Sequence, residues 1–381
     1  MKFKSENDYL LHLISCALHG KVPRPADPDI SLKKVFEAGK LHEVANVAYT
    51  ALCRLEKQPE DDISKEWYEY YLLAVKRDAL QKKASAEILE ALHEKGIYTL
   101  EVQGTKVKKY YPESHLRMMS DIDIIIPPEK LSAAFEIMEK LGYETVFAHN
   151  DTEVQASKGS IFVELHSEFF PEYRNVSKAL SDPFGRALLH DDFSAEVTDT
   201  DFYLFHLLHT IKHADEFMGV GIRRIIDLYY LEEAMKGRAD FEYIDRTLKE
   251  NGFFETKEKL IAVKNHWFCG GEASPKIRRF EKEILSSGNH GSDGVYDRNM
   301  YVNKLAKERS EGKRFVKLCY VMRFLFPPKE DIYKAYPVCE KRHYPAVLCH
   351  LHRAFASVFD KKKWANFRVY FSRLRYKVKS K

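Results

Sequence analysis

Asp121 and Asp123 are separated by a single residue inside an isoleucine-rich run formed by Ile122, Ile124, Ile125 and Ile126. In an extended strand successive side chains alternate, so the two carboxylates share one face with Cα atoms about 6.6 Å apart. That spacing lets them share a cation. Carboxylate oxygens are the hard ligands that Mg²⁺ takes, with waters and nucleotide phosphates completing its shell. The competing reading is a pair of acids on the wet face of an edge strand. The isoleucines point instead to a buried strand, where neighbouring like charges are costly unless a cation or donor compensates them. Glu164, in the apolar run Val163-Glu164-Leu165-His166, is a third acid. It either completes a three-carboxylate site and helps to deprotonate an acceptor hydroxyl, or pairs with a surface Lys or Arg.

Upstream lies Val102-Gln103-Gly104-Thr105-Lys106, followed by Tyr111-Pro112 and Arg117. A glycine after a strand lets a phosphate approach the backbone, and a hydroxyl with free helix N–H groups can bind it. A plain turn explains Gly104 equally. Lys106 and Arg117 bring positive charge toward a triphosphate, Arg117 with the forked geometry that phosphate oxygens suit. Each also fits a solvated surface position.

These residues need short strands to hold them. Residues 98–102, 121–126 and 161–166 are β-rich runs. Between the second and third, residues 128–141 read as an amphipathic helix with Leu131, Ala134, Phe135, Met138 and Leu141 on one face and a proline at its start. Residues 105–110 suit a short helix. Apolar spacing of three and four over 8–96 gives a helical N-terminal segment. The same period returns over 202–214, 223–234, 241–251 and 256–267, with Gly221, Gly237 and Gly252 as stops. The Ser, Gly and Asn of 285–294 predict a loop, and 304–381 is helical in pattern but broken by Pro327-Pro328 and Pro345. The expected class is α+β: a small mixed-sheet core over 96–198, an N-terminal helical region over 1–95, a helical region over 199–300 walling the cleft, and a C-terminal helical region over 301–381.

Gly-Thr, then D-x-D after a helix and loop, then a lone acid on a later strand resembles the DNA polymerase β-like nucleotidyltransferase superfamily. It is most similar to that superfamily's group of uncharacterised bacterial nucleotidyltransferase-family proteins. The resemblance implies that Gly104 and Thr105 meet the nucleotide phosphates, that Asp121 and Asp123 hold two Mg²⁺ ions (or Mn²⁺), and that Glu164 is the third acid. Thr105 stands where the superfamily more often has Ser or Gly, and it keeps the hydroxyl. The implied reaction is transfer of a nucleoside monophosphate from a nucleoside triphosphate, with ATP binding expected, to a hydroxyl of an unidentified small molecule, sugar, protein or RNA.

Composition limits the alternatives. Lys plus Arg number 61 and Asp plus Glu 57, a net charge of +4 over 381 residues, which is too near balance for whole-chain binding to nucleic acid or membrane. Six cysteines without metal-finger spacing suit a reduced, cytoplasmic chain. The apolar stretch near the start is interrupted by His12, Ser15 and Cys16, a poor signal peptide, and no apolar run is long enough to span a bilayer. His206, His209 and His213 fall on one helical face, either as packing or acceptor-site residues or as zinc ligands without the H-E-x-x-H pattern. Residues 361–381 carry Lys and Arg with no acid, interleaved with Trp364, Phe367, Phe371 and Tyr376. This helix either docks its aromatic face on the body or contacts an anionic surface. Two other functions stay open: a catalytically silent nucleotide-binding or regulatory protein, and an RNA- or membrane-associating protein working through this tail.

Overall fold

The structure, a computed structural model, describes residues 2–57, 62–148, 152–169, 176, 178–215, 219–289, 348 and 350. Met1–Asp215 and Gly219–Ser292 form one compact unit; a second unit comprises Glu216–Met218 and Asp293–Lys381. The readings made for 301–381, including the basic aromatic tail, fall almost wholly outside the described residues.

The helical period near the start resolves into α1 (Glu6–Leu18), α2 (Leu32–Leu41), α3 (Ala45–Leu52) and α4 (Asp62–His93). Ser5 caps α1 by accepting from the Asp8 N–H at 3.2 Å, and Ser31 caps α2 through the Lys34 N–H. Each satisfies one donor that the first helical turn leaves open. Trp67 of α4 is fully buried and donates from Nε1 to the Ala45 carbonyl at 2.7 Å, which fastens α4 to the start of α3.

The chain then enters β1 (Thr99–Glu101), α5 (Gln103–Val107), β2 (Ile122–Ile125), α6 (Leu131–Lys140), β3 (Glu144–Ala148), β4 (Glu153–Lys158), β5 (Ile161–His166), α7 (Lys178–Ser181), β6 (Leu188–Leu189) and β7 (Ser194–Glu196). The seven strands form one mixed sheet in the order β3-β4-β5-β2-β1-β7-β6. The β2–β5 and β1–β7 pairs are parallel and the rest antiparallel. One sheet face is dry. Ile122, Ile124, Val163, Leu165, Val154 and Ala156 pack there with Leu131, Ala134 and Met138 of α6 and with Ile88 and Leu92 of α4. Because side chains alternate along a strand, Asp121, Asp123 and Glu164 fall on the opposite face.

Four helices follow: α8 (Asp199–Asp215), α9 (Ile222–Met235), α10 (Phe241–Glu250) and α11 (Phe254–Phe268), all within two residues at the start and one at the end of the predicted spans except for the longer N-terminal turn of α8. They share a second core with α1 to α3, into which Ile125 and Leu100 also project. The last described helix, α12 (Pro275–Ser287), continues through part of the loop expected over 285–294 and ends at Gly288, whose φ of 70° lies in the left-handed region; the Ser286 and Ser287 hydroxyls donate to the Glu283 carbonyl. Residues 290–294 lie outside the described residues. None of the described helices is long and apolar enough to cross a membrane; Cys16 is buried and Cys269 exposed.

The loop between β1 and β2 is held from three sides. Asp78 of α4 accepts from Lys108 at 2.6 Å and from Ser114 at 2.6 Å, while Gln81 donates to the Met119 carbonyl at 3.0 Å. Asn46 of α3 donates to the His115 and Leu116 carbonyls. From α9, Asp227 accepts Arg117 Nε at 2.8 Å and Nη2 at 2.9 Å, and the Tyr111 hydroxyl at 2.7 Å. Arg117 and Asp227 are 3% and 0% exposed, so this ion pair is fully desolvated. The guanidinium beside it holds the Asp227 carboxyl well below the usual range against the opposing effect of burial.

Removing one partner of such a pair strands a charge in the interior at about 3–5 kcal/mol, whereas replacing both by apolar groups is often close to neutral. Asp227→Ala should therefore lose about that much unfolding free energy in urea, and Arg117→Met combined with Asp227→Leu should recover most of it. A loss below about 1 kcal/mol in the single variant would remove Asp227 as the clamp. The α8 histidines give a second test. Burial pushes His206 down to about 3. The unfolded chain takes up that proton below about 6.5 while the native protein does not. Stability is thus retained above pH 6.5 and lost as pH falls from there toward 3. His206→Gln should reduce that slope by up to ~1.4 kcal/mol per pH unit in urea titrations between pH 5 and 7; parallel slopes would refute the assignment.

Candidate active site

Asp123 and Glu164 are register partners across the parallel β2–β5 pair, so their side chains stand next to each other on the same face. Asp121, two residues before Asp123, joins them. Its carboxyl is pushed up to about 6, first by burial, then by the charges of Asp123 and Glu164, with Arg223 and Arg224 acting in the opposite sense. The three acids named from sequence therefore meet at one place. Two groups not named there complete the polar face. His166, two residues after Glu164, donates from Nε2 to Asp123 Oδ1 at 3.3 Å and lies 3.4 Å from Glu164 Oε2. Its Nδ1 is 3.2 Å from Glu153 Oε2 on β4, where Glu153 is the register partner of His166. Surrounding carboxylates hold the imidazole well above its usual range even though burial opposes this. Gln155 bridges Glu153 at 2.7 Å and Glu164 at 3.5 Å.

The loop residues expected at the phosphates divide. Gly104 faces protein: a Cβ there would lie 2.9 Å from Arg117 Nη1 and 3.0 Å from Met119 Sδ, so only glycine lets these chains close. The left-handed residue of the turn is Gln103, at φ 49°, an uncommon conformation for a side-chain-bearing residue. Thr105 Oγ1 is buried and has no hydrogen-bond partner among the described residues. Arg117, expected to meet phosphate, is committed to Asp227 instead. Lys106 lies over the Phe202 ring at 4.7 Å, lowered by burial, with Glu196, Asp199 and Glu101 as the acids acting on it. It is not drawn into the Asp121 group.

The positive charge near the acids comes from α9. Arg223 is buried and binds Glu43 and the Met118 carbonyl through Nη1. Arg224 follows, and its one side-chain hydrogen bond among the described residues goes from Nη2 to His209 Nε2 at 3.4 Å. No carboxylate pairs with Arg224 among the described residues. Burial, with Arg223 and Arg117 beside it, lowers its guanidinium to about 10, while Asp227 and Asp121 act the other way. His209 Nε2 also lies 2.9 Å from His213 Nε2, and burial and Arg224 keep His209 well below its usual range. Among the described residues the potential metal-ligating group is Asp123, Glu164 and His166, not the α8 histidine trio.

The donor set fits a divalent cation. Carboxylate oxygens of Asp123 and Glu164 and a ring nitrogen of His166 lie within 4.8 Å of one another, and Asp121 beside them is raised by burial and then by the charges of Asp123 and Glu164, a repulsion that a cation would relieve. Residue types alone give no site role to Glu153, to His166 at the end of the run that carries Glu164, or to Arg224 in the 199–300 region expected to wall the cleft. Strand alternation alone puts His166 on the face of Glu164, but Glu153 and Arg224 reach the site only through tertiary pairing.

None of the curated proteins matches the chain. The solution structure of the antibiotic-resistance factor ANT(2'')-Ia is similar over 50% of this chain and 97% of that one, at 14% identity and a TM-score of 0.34. A likeness at that score carries no argument. The model of a family described as uncharacterised nucleotidyltransferase matches residues 28–269. That span takes in α2 through α11 with the whole sheet and both walls of the site, more than half of the sequence, and the chain belongs to the uncharacterised nucleotidyltransferase family.

Proposed function

We propose that the protein is a divalent-metal-dependent nucleotidyltransferase that moves a nucleoside monophosphate from a nucleoside triphosphate to a hydroxyl of a small molecule, sugar, protein or RNA. The observation that carries this reading is the pairing of Asp123 with Glu164 across parallel strands, with Asp121 on the same face and Arg224 opposite. Asp121, Asp123 and Glu164 would hold Mg²⁺, two ions in the family-like arrangement, or Mn²⁺. Such ions, when bound, lower the pKa of an acceptor hydroxyl and neutralise the leaving pyrophosphate.

The chain's own groups do the rest. Arg224 offers a guanidinium with no competing carboxylate, suited to fork two phosphate oxygens, and takes the role first expected of Arg117. Thr105 supplies a buried hydroxyl to the triphosphate. Glu164 accepts the proton of the acceptor hydroxyl. Arg117 works at a distance by holding the loop that leads into Asp121.

Incubating the metal-loaded protein with an NTP panel and a cell extract should yield adducts heavier by one nucleoside monophosphate in mass spectrometry. Asp121→Asn and Asp123→Asn should each cut turnover roughly a hundredfold or more, since several kcal/mol of transition-state charge stabilisation is at stake. If nucleotide binds the folded protein and no adduct forms with any NTP, the silent nucleotide-binding alternative takes over. Arg224→Met should weaken NTP or pyrophosphate binding by about 1.5–3 kcal/mol, the worth of a charge-assisted contact, which calorimetry reads as roughly a ten- to hundredfold rise in Kd. An unchanged Kd would exclude Arg224 from the phosphate site.

A further inference from the structure

The polar face of β2, β4 and β5 holds a nitrogen donor among its oxygens. His166 Nε2 is 3.3 Å from Asp123 Oδ1 and 3.4 Å from Glu164 Oε2, and the ligand atoms of these three residues all lie within 4.8 Å of one another. One ion with bonds of ~2.1 Å can touch donors up to about 4.2 Å apart, so both contacts to Nε2 are already within reach of a shared cation. The other ring nitrogen is also committed, because Nδ1 lies 3.2 Å from Glu153 Oε2. Carboxylate behind one ring nitrogen and a metal before the other is the arrangement by which proteins orient a histidine ligand. Gln155, bonded to Glu153 and reaching Glu164, fixes the relative position of the outer and inner carboxylates.

We infer that His166 Nε2 is a ligand of the cation held by Asp123 and Glu164, oriented by Glu153 from behind, and that this site prefers Mn²⁺ to Mg²⁺. The inference rests on the metal-dependent reading given under Proposed function. Binding would replace the Nε2–H proton, released to solvent, by the ion at the Nε2 lone pair, while Nδ1 keeps its proton and donates it as a hydrogen bond to the Glu153 carboxylate. The selectivity follows from ligand chemistry. Mg²⁺ takes oxygen donors and gives up water reluctantly, whereas an imidazole in the set favours the first-row transition ions. Three oxygens from Asp121, Asp123 and Glu164 would suit Mg²⁺; substituting a nitrogen for one of them shifts the balance.

The test uses the full chain, stripped of metal and without nucleotide. Mn²⁺ is titrated in while the EPR signal of the free ion is followed, with Mg²⁺ as competitor, and the bound Mn²⁺ is examined by pulsed EPR for coupling to a nitrogen nucleus. The expected result is a nitrogen coupling in the unmodified protein and Mn²⁺ binding at least about tenfold tighter than Mg²⁺. His166→Gln should abolish the coupling and weaken Mn²⁺ about tenfold or more, while changing Mg²⁺ by less than about threefold. Glu153→Gln should keep the coupling and weaken Mn²⁺ by roughly 10- to 100-fold, as for a residue that orients a ligand. Bound Mn²⁺ without nitrogen coupling, or the same Mn²⁺-to-Mg²⁺ preference in His166→Gln as in the unmodified protein, overturns the inference and leaves the nucleotidyl-transfer reading standing. No Mn²⁺ binding at all overturns both. The coupling is read on the unmodified protein, so the outcome does not depend on either variant folding.

Discussion

Asp227 is the fixed point of the molecule. It lies in α9, more than 100 residues from Arg117 and Tyr111, and accepts from both while fully buried. A desolvated carboxylate is tolerable only when its lone pairs are met by donors of this quality. Meeting them dictates where the β1–β2 loop lies, since Arg117 and Tyr111 belong to the chain that leads into Asp121. It also dictates where α9 lies, and α9 presents Arg224. One buried pair thereby sets the distance between an acidic sheet face and a basic helix. It also explains why Arg117 does not serve phosphate: its fork is filled, and Gly104 closes over it at a distance no other residue would allow.

The two sides of the cleft are each electrostatically uncomfortable alone. Unit charges about 5 Å apart interact by about 3 kcal/mol at an effective dielectric of 20, and Asp121, Asp123 and Glu164 stand on adjacent positions of one sheet face. Burial and then the charges of Asp123 and Glu164 raise Asp121, and the surrounding carboxylates hold the His166 imidazole above its usual range against the effect of burial. Arg224, whose charge also acts on Asp121, is lowered by burial and then by Arg223. Asp121 feels both sides. A cation paired with a polyanion is the ligand class that would relieve both at once, which is why the proposed function takes a metal–triphosphate complex as its substrate.

Much of this arrangement is legible from residue types. Asp121-x-Asp123 among isoleucines marks a buried strand with acids on one face, and β2 is buried at every position. The 128–141 helix appears as a turn at Pro128 followed by α6, and the strand over 161–166 matches β5. What escapes the sequence does so for identifiable reasons. β3 sets Val146, Phe147 and Ala148 side by side rather than alternating, because it is an edge, and β4 offers only Val154 and Ala156 as apolar residues because its other face turns to the acids, so neither stands out by period. β6 and β7 are two and three residues long, below the length at which alternation can be read. Arg117 reads as a phosphate ligand from its charge and forked geometry; that its partner is Asp227 is a long-range fact with no local signal. Arg224 beside Arg223 looks the same in sequence, yet one is paired with Glu43 and the other is not.

Placement of the acids is over-determined by packing, and this is what makes the site robust as a scaffold. Side chains alternate with period two, so slipping β5 by one residue against β2 would turn Glu164 into the α4–α6 core and bring Val163 and Leu165 to the wet face. The apolar residues that forbid the slip never touch a substrate, yet they position Glu164 beside Asp123. The same periodicity then carries His166 to that face without further design, since it is two residues on. A strand that delivers one acid to a metal must deliver its i+2 neighbour beside it. The identity of that neighbour is unconstrained by folding, because β5 is satisfied on its dry side by Val163 and Leu165 whatever stands at 166. The fold and the placement of Glu164 beside Asp123 are thus written into the hydrophobic pattern, while the residue at 166 lies on the face that this pattern leaves free.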